Sequence, residues 1–147
     1  MSSFQIIIGS MLGGSEYVAQ ACEETLTALG HEVELHFQPN FAQISRENQI
    51  WLICTSTHGA GDYPDNIQTF VTDLENCNND LSPVKFFTIG IGDSNYDTFC
   101  FAAKNITKLL LSKYCIEIIP LLTIDMSLDI DPEERSQYWL NENKDLL

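Results

Sequence analysis

Short apolar runs alternate along the chain with segments whose apolar residues recur at helical spacing. Residues 4–8, 50–55 and 84–91 are rich in β-branched and aromatic side chains, which predicts three buried strands. Residues 31–37 alternate apolar and polar side chains, as expected of a strand nearer the edge of a sheet. A fifth strand is predicted over residues 116–122.

Four helices are predicted between and after these strands. The first begins near Ser15 and ends before Gly30, a glycine in the position of a C-cap. Apolar positions at helical spacing predict two more helices, over 67–74 and 99–110, and Asp65 is expected to cap the first of these two. Residues 131–134 (Asp-Pro-Glu-Glu) combine an acidic N-cap, proline at the first helical position and glutamate at the third, which predicts the start of the last helix.

Five strands that alternate with helices predict an α/β fold, a parallel sheet covered by helices on both faces and joined by right-handed crossovers. We expect the strand order 2-1-3-4-5, because strands one, three and four are the most apolar. No linker or repeat divides residues 1–147, so a single domain is expected. Ligands of such sheets bind beyond the carboxyl ends of the strands, where the strand order reverses. The loops after strands one, three and four should therefore form the site.

The loop after the first strand has the composition of a phosphate-binding turn. Its hydroxyls, its glycines and the free N–H groups at the start of the following helix suit a phosphate monoester. It lacks the G-K-[ST] signature of a Walker-type loop and the dinucleotide pattern G-x-G-x-x-G. A turn that only makes a tight corner is the alternative interpretation. The candidate phosphate-binding residues are Ser10, Met11, Leu12, Gly13, Gly14 and Ser15.

Charge and cysteine usage narrow the range of functions. Twenty-one acidic and seven basic side chains give a net charge of −14 at pH 7, which argues against a nucleic-acid-binding surface. The acidity serves either solubility or the steering of basic partners. Five scattered cysteines without a C-x-x-C motif, and three dispersed histidines, favour reduced thiols and no metal site. No signal peptide or membrane span is expected, so the protein is expected in the cytoplasm.

Two strings in the loops after the third and fourth strands resemble the FMN-binding loops of flavodoxins. Residues 56–66 read S-T-x-G-x-G-D-x-P-D-N, and residues 90–100 read G-x-G-D-S-x-Y-x-x-F-C. The chain is most similar to the short MioC-type flavodoxins and to the FMN domains of diflavin reductases, over essentially its whole length. The resemblance implies a flavodoxin-like three-layer α/β/α sandwich with a five-stranded parallel sheet and one FMN bound non-covalently.

The resemblance also implies roles for individual residues. The first loop would hold the FMN phosphate, and a peptide beside the loop glycines would turn its carbonyl toward the flavin N5–H on reduction. Tyr96 matches the family's stacking tyrosine. Met11 and Leu12 stand where flavodoxins usually carry hydroxyls, and His58 where relatives often place Tyr or Trp, so a lower FMN affinity is expected. The residues expected to border the ring are Ser56, Thr57, His58, Gly59, Ala60 and Gly61 on one side and Gly92, Asp93, Asn95, Tyr96, Phe99 and Cys100 on the other.

A flavodoxin of this kind is an electron carrier and not an enzyme. The resemblance implies a basic-faced flavodoxin/ferredoxin–NADP reductase as donor and a redox enzyme such as biotin synthase as acceptor, with a monomer expected. Two alternatives stay open: a flavodoxin-shaped regulatory or binding protein with weak FMN affinity, and a small FMN-dependent reductase. A signalling receiver domain is disfavoured, because the third strand ends in Cys54, Thr55 and Ser56 and not in a phosphoacceptor aspartate.

Overall fold

The fold was obtained as a computed structural model that describes residues 1–11 and 13–147. Leu12 lies outside the described residues. Short 3₁₀ turns occur at Phe41–Gln43, Asp65–Ile67 and Lys144–Leu146. The strands are β1 (Ser3–Gly9), β2 (Glu32–His36), β3 (Ile50–Ser56), β4 (Lys85–Gly92), β5 (Ile116–Glu117) and β6 (Leu122–Asp125), and the helices are α1 (Gly14–Ala28), α2 (Gln68–Asn76), α3 (Phe101–Ser112) and α4 (Pro132–Glu142).

All the described strand pairs are parallel, and the sheet order is β2-β1-β3-β4-β5, which confirms the predicted order. The central strands β1, β3 and β4 are buried along almost their whole length, whereas β2 is at the edge and half-exposed. The position next to β4 is filled by two short strands in succession, because β6 also pairs with β4. This arrangement brings the carboxyl ends of β1, β3, β4 and β6 to one rim.

The predicted fifth strand is thus interrupted and reaches further than its pattern indicated. β5 pairs with Lys85 and Phe86, and β6 pairs with the segment from Ile89 to Gly92. Pro120 lies between them and has no N–H to donate to the sheet, which explains the break. The strand resumes at Leu122 and ends at Asp125, three residues beyond the predicted end.

Two apolar clusters cover the two faces of the sheet and confirm the three-layer sandwich. On one face Phe4 and Leu52 pack with residues of α1 and α4, including Leu26 and Trp139. The opposite face packs residues of α2 and α3 against side chains such as Trp51 and Ile53. Burial of each large apolar side chain contributes roughly 1.5–3 kcal/mol, so these two layers hold the rim in a fixed shape.

The helix ends agree with two of the three predicted caps. Gly30 has a positive φ of 93° just after α1, as a C-cap glycine should. The Asp131 carboxylate accepts hydrogen bonds from the N–H groups of Glu133 (3.0 Å) and Glu134 (3.3 Å) at the start of α4. The cap predicted at Asp65 is wrong: Asp65 opens a 3₁₀ turn directly after Pro64, and α2 begins only at Gln68. Within 1–11 and 13–147, no helix has the length and apolarity to span a membrane.

Candidate functional site

Three loops meet where β1, β3 and β4 end: loop 1 (residues 10–15), loop 2 (56–66) and loop 3 (92–100). They enclose two cavities, which we call the loop-1 cavity and the loop-3 cavity. The loop-1 cavity has a volume of about 260 Å³ and is lined by Ser10, Met11, Gly14, Ser15, Ser56, Thr57, His58 and Ile91. The loop-3 cavity has a volume of about 330 Å³ and is lined by Thr57, Gly59, Gly92, Asp93, Tyr96, Thr98, Phe99 and Cys100.

Thr57 lines both cavities, so the two lie side by side at the same rim. The structure therefore brings together thirteen of the eighteen residues expected from the sequence. Gly13, Ala60, Gly61 and Asn95 lie in the same loops without lining either cavity, and Leu12 is not described. Thr98 and Ile91 are additional lining residues, and both belong to the string at 90–100 that indicated the site.

Loop 1 is organised by its own first hydroxyl. The Ser10 Oγ accepts a hydrogen bond from the Gly13 N–H at 2.9 Å. Gly13 adopts the left-handed conformation (φ 89°) that glycine takes without steric cost, and α1 begins at the next residue. No described side chain caps the start of α1. The positive end of the helix dipole is thus available to an anion.

Ser15 supplies the clearest sign that loop 1 holds a ligand. Its side chain is 1% exposed, and its Oγ has no hydrogen-bond partner among the described residues. A buried hydroxyl without a partner costs about 1–3 kcal/mol, so such atoms are normally satisfied by water or a ligand. Because Ser15 is one of the residues that line the loop-1 cavity and lies in the first turn of α1, the residues present fit a phosphate group.

Met11 is directed toward loop 2. Its Sδ accepts a hydrogen bond from the Asp65 N–H at 3.3 Å, and the side chain is half-exposed. The thioether therefore borders the loop-1 cavity without a donor for a phosphate oxygen. A phosphate bound in this loop would be held by serine hydroxyls and backbone N–H groups.

Asn66 is a functional residue that was not predicted. Its Oδ1 accepts from the Ser10 N–H at 2.8 Å, and its Nδ2 donates to the carbonyls of Ile8 (2.7 Å) and Phe37 (2.9 Å). One side chain thus joins the ends of β1 and β2 to loop 2. The signal was present as the last residue of the string at 56–66, but its partners depend on tertiary structure.

Loop 2 turns tightly at two glycines. The His58 N–H donates to the Asp62 carbonyl at 2.8 Å, and the Asp62 N–H returns a bond to the His58 carbonyl at 2.7 Å. Gly59 and Gly61 have φ values of 52° and 105° within this turn. A Cβ at Gly61 would also lie 3.0 Å from the Phe101 ring, so this position excludes side chains for two reasons.

Loops 2 and 3 are joined by threonine hydroxyls. The Thr57 Oγ1 accepts from the Ala102 N–H at 3.1 Å, near the start of α3. The Thr98 Oγ1 donates to the Gly59 carbonyl at 3.4 Å. The resemblance to flavodoxins implies that a peptide beside the loop glycines, such as this one, reorients on flavin reduction. These bonds fix the width of the loop-3 cavity.

Loop 3 presents an exposed aromatic ring on a defined turn. The backbone carbonyl of Asp93 accepts a hydrogen bond from the Tyr96 N–H at 3.1 Å. The side-chain carboxylate of Asp93 accepts another from the Asn95 N–H at 2.9 Å. The Tyr96 side chain is 67% exposed and lines the loop-3 cavity, so its ring is free to stack on a flat ligand. Asp93 adds a carboxylate to the same wall.

Cys100 has a packing role at the end of this loop. It is fully buried, has a φ of 54° and precedes the first residue of α3. Burial raises the pKa of its thiol to about 11, and the nearby Lys104 ammonium offsets only part of that shift. The thiol is therefore protonated at neutral pH, and it packs so closely that a Cβ at Gly92 would lie 3.0 Å from its Sγ. Across the described parts of the chain, no cluster of side chains suits a metal ion.

Comparison with known proteins agrees with this geometry. The profile of the flavodoxin family matches residues 6–139. The chain is 42% identical over 135 residues to the MioC homologue of Haemophilus influenzae, covering 92% of each protein, and 39% identical over 148 residues to MioC of Escherichia coli, covering 100% of this chain and 99% of that protein. A cysteine variant of a flavodoxin from Pseudomonas aeruginosa superposes with a TM-score of 0.89 at 28% identity, covering 99% of this chain and 98% of that one.

Proposed function

Because the chain belongs to the flavodoxin family and is of the MioC type, we propose that it binds one FMN non-covalently and carries electrons between protein partners. Family membership implies a flavin and a role in electron transfer. One observation carries the choice of FMN: the cavity with the unpartnered Ser15 hydroxyl adjoins, through Thr57, the cavity with the exposed Tyr96 ring. That arrangement suits a phosphate at one end and a flat ring at the other.

Each part of the site has a distinct task in this proposal. Ser10, Ser15 and the start of α1 hold the phosphate, and loops 2 and 3 hold the isoalloxazine. When bound, FMN supplies one-electron transfer chemistry that no side chain of the chain provides. Tyr96 covers the ring and excludes water from one face. The carboxylate of Asp93, and those of Asp62 and Asp97 in the same loops, disfavour additional negative charge and so favour a low potential.

A carrier is favoured over a small FMN-dependent reductase first by the family, since flavodoxins carry electrons. Asp93, Cys100 and His58 are the titratable side chains that line the cavities besides Tyr96. The Cys100 thiol has a raised pKa and is buried, so it is a poor nucleophile. We therefore assign hydride chemistry to a separate protein, a flavodoxin/ferredoxin–NADP reductase with a basic docking face.

The partners follow from charge and from the MioC type. A net charge of −14 supports a basic donor, since opposite charges accelerate encounter. A redox enzyme such as biotin synthase is the acceptor to test first. The five cysteines are free, which supports a reducing compartment such as the cytoplasm.

The second candidate function is a regulatory protein with weak FMN affinity. It is favoured by Met11, whose thioether borders the loop-1 cavity where a hydroxyl would bind phosphate better, and by His58 in place of a larger aromatic ring. The two functions differ in the dissociation constant for FMN and in whether bound flavin is reduced by a partner.

Titration of the ligand-free protein with FMN tests the proposal. We expect quenched flavin fluorescence, a visible spectrum of bound flavin and one FMN per chain. Tyr96→Ala is expected to weaken FMN binding, whereas Tyr138→Ala, which removes a similarly exposed ring from α4, is the matched control. Binding absent at tens of micromolar FMN favours the regulator, and NAD(P)H oxidation by the protein alone favours the reductase.

A further inference from the structure

We propose that Asp125 positions loop 3 within the binding site, an inference that rests on the proposed function for its consequence on flavin binding. Asp125 is the last residue of β6 and stands beside Gly92 in the sheet, where loop 3 begins. It lies beyond the predicted end of the fifth strand and lines neither cavity. Its contribution is made through the residues it holds.

The Asp125 carboxylate joins loop 3, at Ser94, to the segment that follows β6, at Ser127. Its Oδ1 accepts from the Ser94 N–H (3.0 Å), from the Ser127 N–H (3.0 Å) and from the Ser127 Oγ (2.7 Å). The Ser94 and Ser127 hydroxyls are themselves 3.1 Å apart. The neighbouring Met126 N–H donates to the Gly92 carbonyl at 2.7 Å, which anchors the same junction through the backbone.

These bonds fix the part of loop 3 that carries the aromatic wall. Ser94 follows directly after Gly92 and Asp93, which line the loop-3 cavity. It belongs to the turn that presents Tyr96. The other end of the loop is held by α3, which begins after Cys100. Without Asp125, residues 93–96 keep the bonds within their own turn and the contact between the Ser94 and Ser127 hydroxyls, but the loop loses the carboxylate that attaches the Ser94 backbone to the sheet edge.

The hydrogen bonds to the Asp125 carboxylate are of a strong type. Hydrogen bonds to an ionised carboxylate are shorter and stronger than neutral ones. Donation by Ser94 and then by Ser127 also holds the pKa of the Asp125 carboxyl well below its usual range. The carboxylate is therefore ionised under ordinary conditions.

Four substitutions separate positioning from charge. Asp125→Ala removes the acceptor, and Asp125→Asn keeps a side-chain oxygen without the charge. Asp129→Ala removes one carboxylate from the same exposed segment and is the matched control. Ser127→Ala is the milder variant, since it removes the hydroxyl bonds and leaves Asp125 in place.

Amide hydrogen exchange in the ligand-free protein tests the positioning itself. We expect the Ser94 amide and the two that follow it to exchange about tenfold faster or more in Asp125→Ala, with Asp129→Ala unchanged and Asp125→Asn between them. Unchanged exchange at Ser94 in Asp125→Ala overturns the proposal, whether or not the protein binds flavin. If the unaltered protein binds no flavin, the proposed function fails while this comparison still decides the role of Asp125.

Flavin binding tests the consequence. Because loop 3 borders the ring and not the phosphate, Asp125→Ala should weaken FMN and riboflavin by the same factor, about tenfold. It should also change the visible circular dichroism of the bound flavin, which reports the surroundings of the ring. Equal dissociation constants for Asp125→Ala and the unaltered protein, or equal losses in Asp129→Ala and Asp125→Ala, overturn the proposal.

Discussion

The backbone N–H of Ser10 donates a 2.8 Å hydrogen bond to Oδ1 of Asn66, a residue 56 positions further along the chain. The bond fixes loop 1 against the last residue of loop 2. The amide nitrogen of Asn66 binds two carbonyls in addition, at the ends of β1 and of β2. The Asn66 side chain therefore holds the start of the candidate phosphate loop, in addition to the bond that the Ser10 Oγ accepts from the Gly13 N–H.

Asn66→Ala is predicted to destabilise the protein and to weaken FMN binding together. Three backbone groups lose their partner, so the free energy of unfolding should fall by about 2–3 kcal/mol. Urea unfolding of the ligand-free protein measures this. Asn78→Ala, at an exposed asparagine after α2, is the control and should change little. A stable Asn66→Ala variant with unaltered FMN affinity would contradict the role given to Asn66.

Ser15→Ala is predicted to separate stability from binding. The hydroxyl has no partner within the described chain and its burial costs free energy, so its removal should leave the free energy of unfolding of the ligand-free protein unchanged or raise it. FMN affinity should fall about tenfold, while the affinity for riboflavin, which lacks the phosphate, should be unchanged.

Ser136→Ala is the matched control for that substitution. Ser136 is also a buried serine, but its Oγ donates to the Pro132 carbonyl at 2.8 Å, so its loss should cost about 1 kcal/mol without an effect on FMN. Equal weakening of FMN and riboflavin in Ser15→Ala would place Ser15 away from the phosphate.

Gly61→Ala is predicted to disrupt loop 2. Its φ of 105° is costly for any residue with a Cβ, and that Cβ would lie 3.0 Å from the Phe101 ring. We expect a loss of about 1–3 kcal/mol and weaker flavin binding. Gly14→Ala is the control, because a Cβ there meets nothing within 4 Å and helix α1 favours alanine. A Gly61→Ala protein as stable as Gly14→Ala would show that the turn adapts.

Buried thiols are predicted to make the fold sensitive to alkali. Burial raises the pKa of Cys22 and of Cys115 to about 12, and that of Cys100 to about 11, from an ordinary value of 9.0. Above pH 9 the unfolded chain releases thiol protons that the folded chain retains, so the free energy of unfolding falls as pH rises toward 11–12. Below that range these groups give no pH dependence.

Urea unfolding across the alkaline range measures this effect. Each thiol contributes a slope of at most about 1.4 kcal/mol per pH unit. Cys22→Ala should lower the slope of the free energy of unfolding against pH by the contribution of one thiol, whatever its effect on stability at neutral pH. A slope that is the same in Cys22→Ala and in the unaltered protein would contradict the assignment.

The strands, the sheet order and the three site loops were predictable because each depends on local patterns. Buried runs such as that in β3 differ plainly from the alternating β2, and parallel topology then sets where the strands end. The candidate phosphate loop lies where this topology places it, whereas the place of Tyr96 in the site was implied by the resemblance to flavodoxins. The number of residues that separate these loops along the chain did not limit the prediction, because the sheet brings the loops together.

The remaining features depend on contacts that no local pattern reports. The break at Pro120 could be suspected, but the resumption of the strand as far as Asp125 depends on pairing with Gly92. The cap expected at Asp65 failed because Pro64 starts a 3₁₀ turn before α2. The partners of Asn66 lie on two other strands. In each case tertiary contacts decide which of several locally possible structures forms.

FMN bound at the Ser15 hydroxyl, as proposed, would link the lifetime of this protein to the supply of flavin. A ligand that binds only the folded chain stabilises it by about 2.7 kcal/mol at a hundredfold excess over its dissociation constant. When flavin is scarce, a larger share of newly made chains is unfolded and open to proteolysis. Cellular abundance would then follow riboflavin nutrition even at constant synthesis.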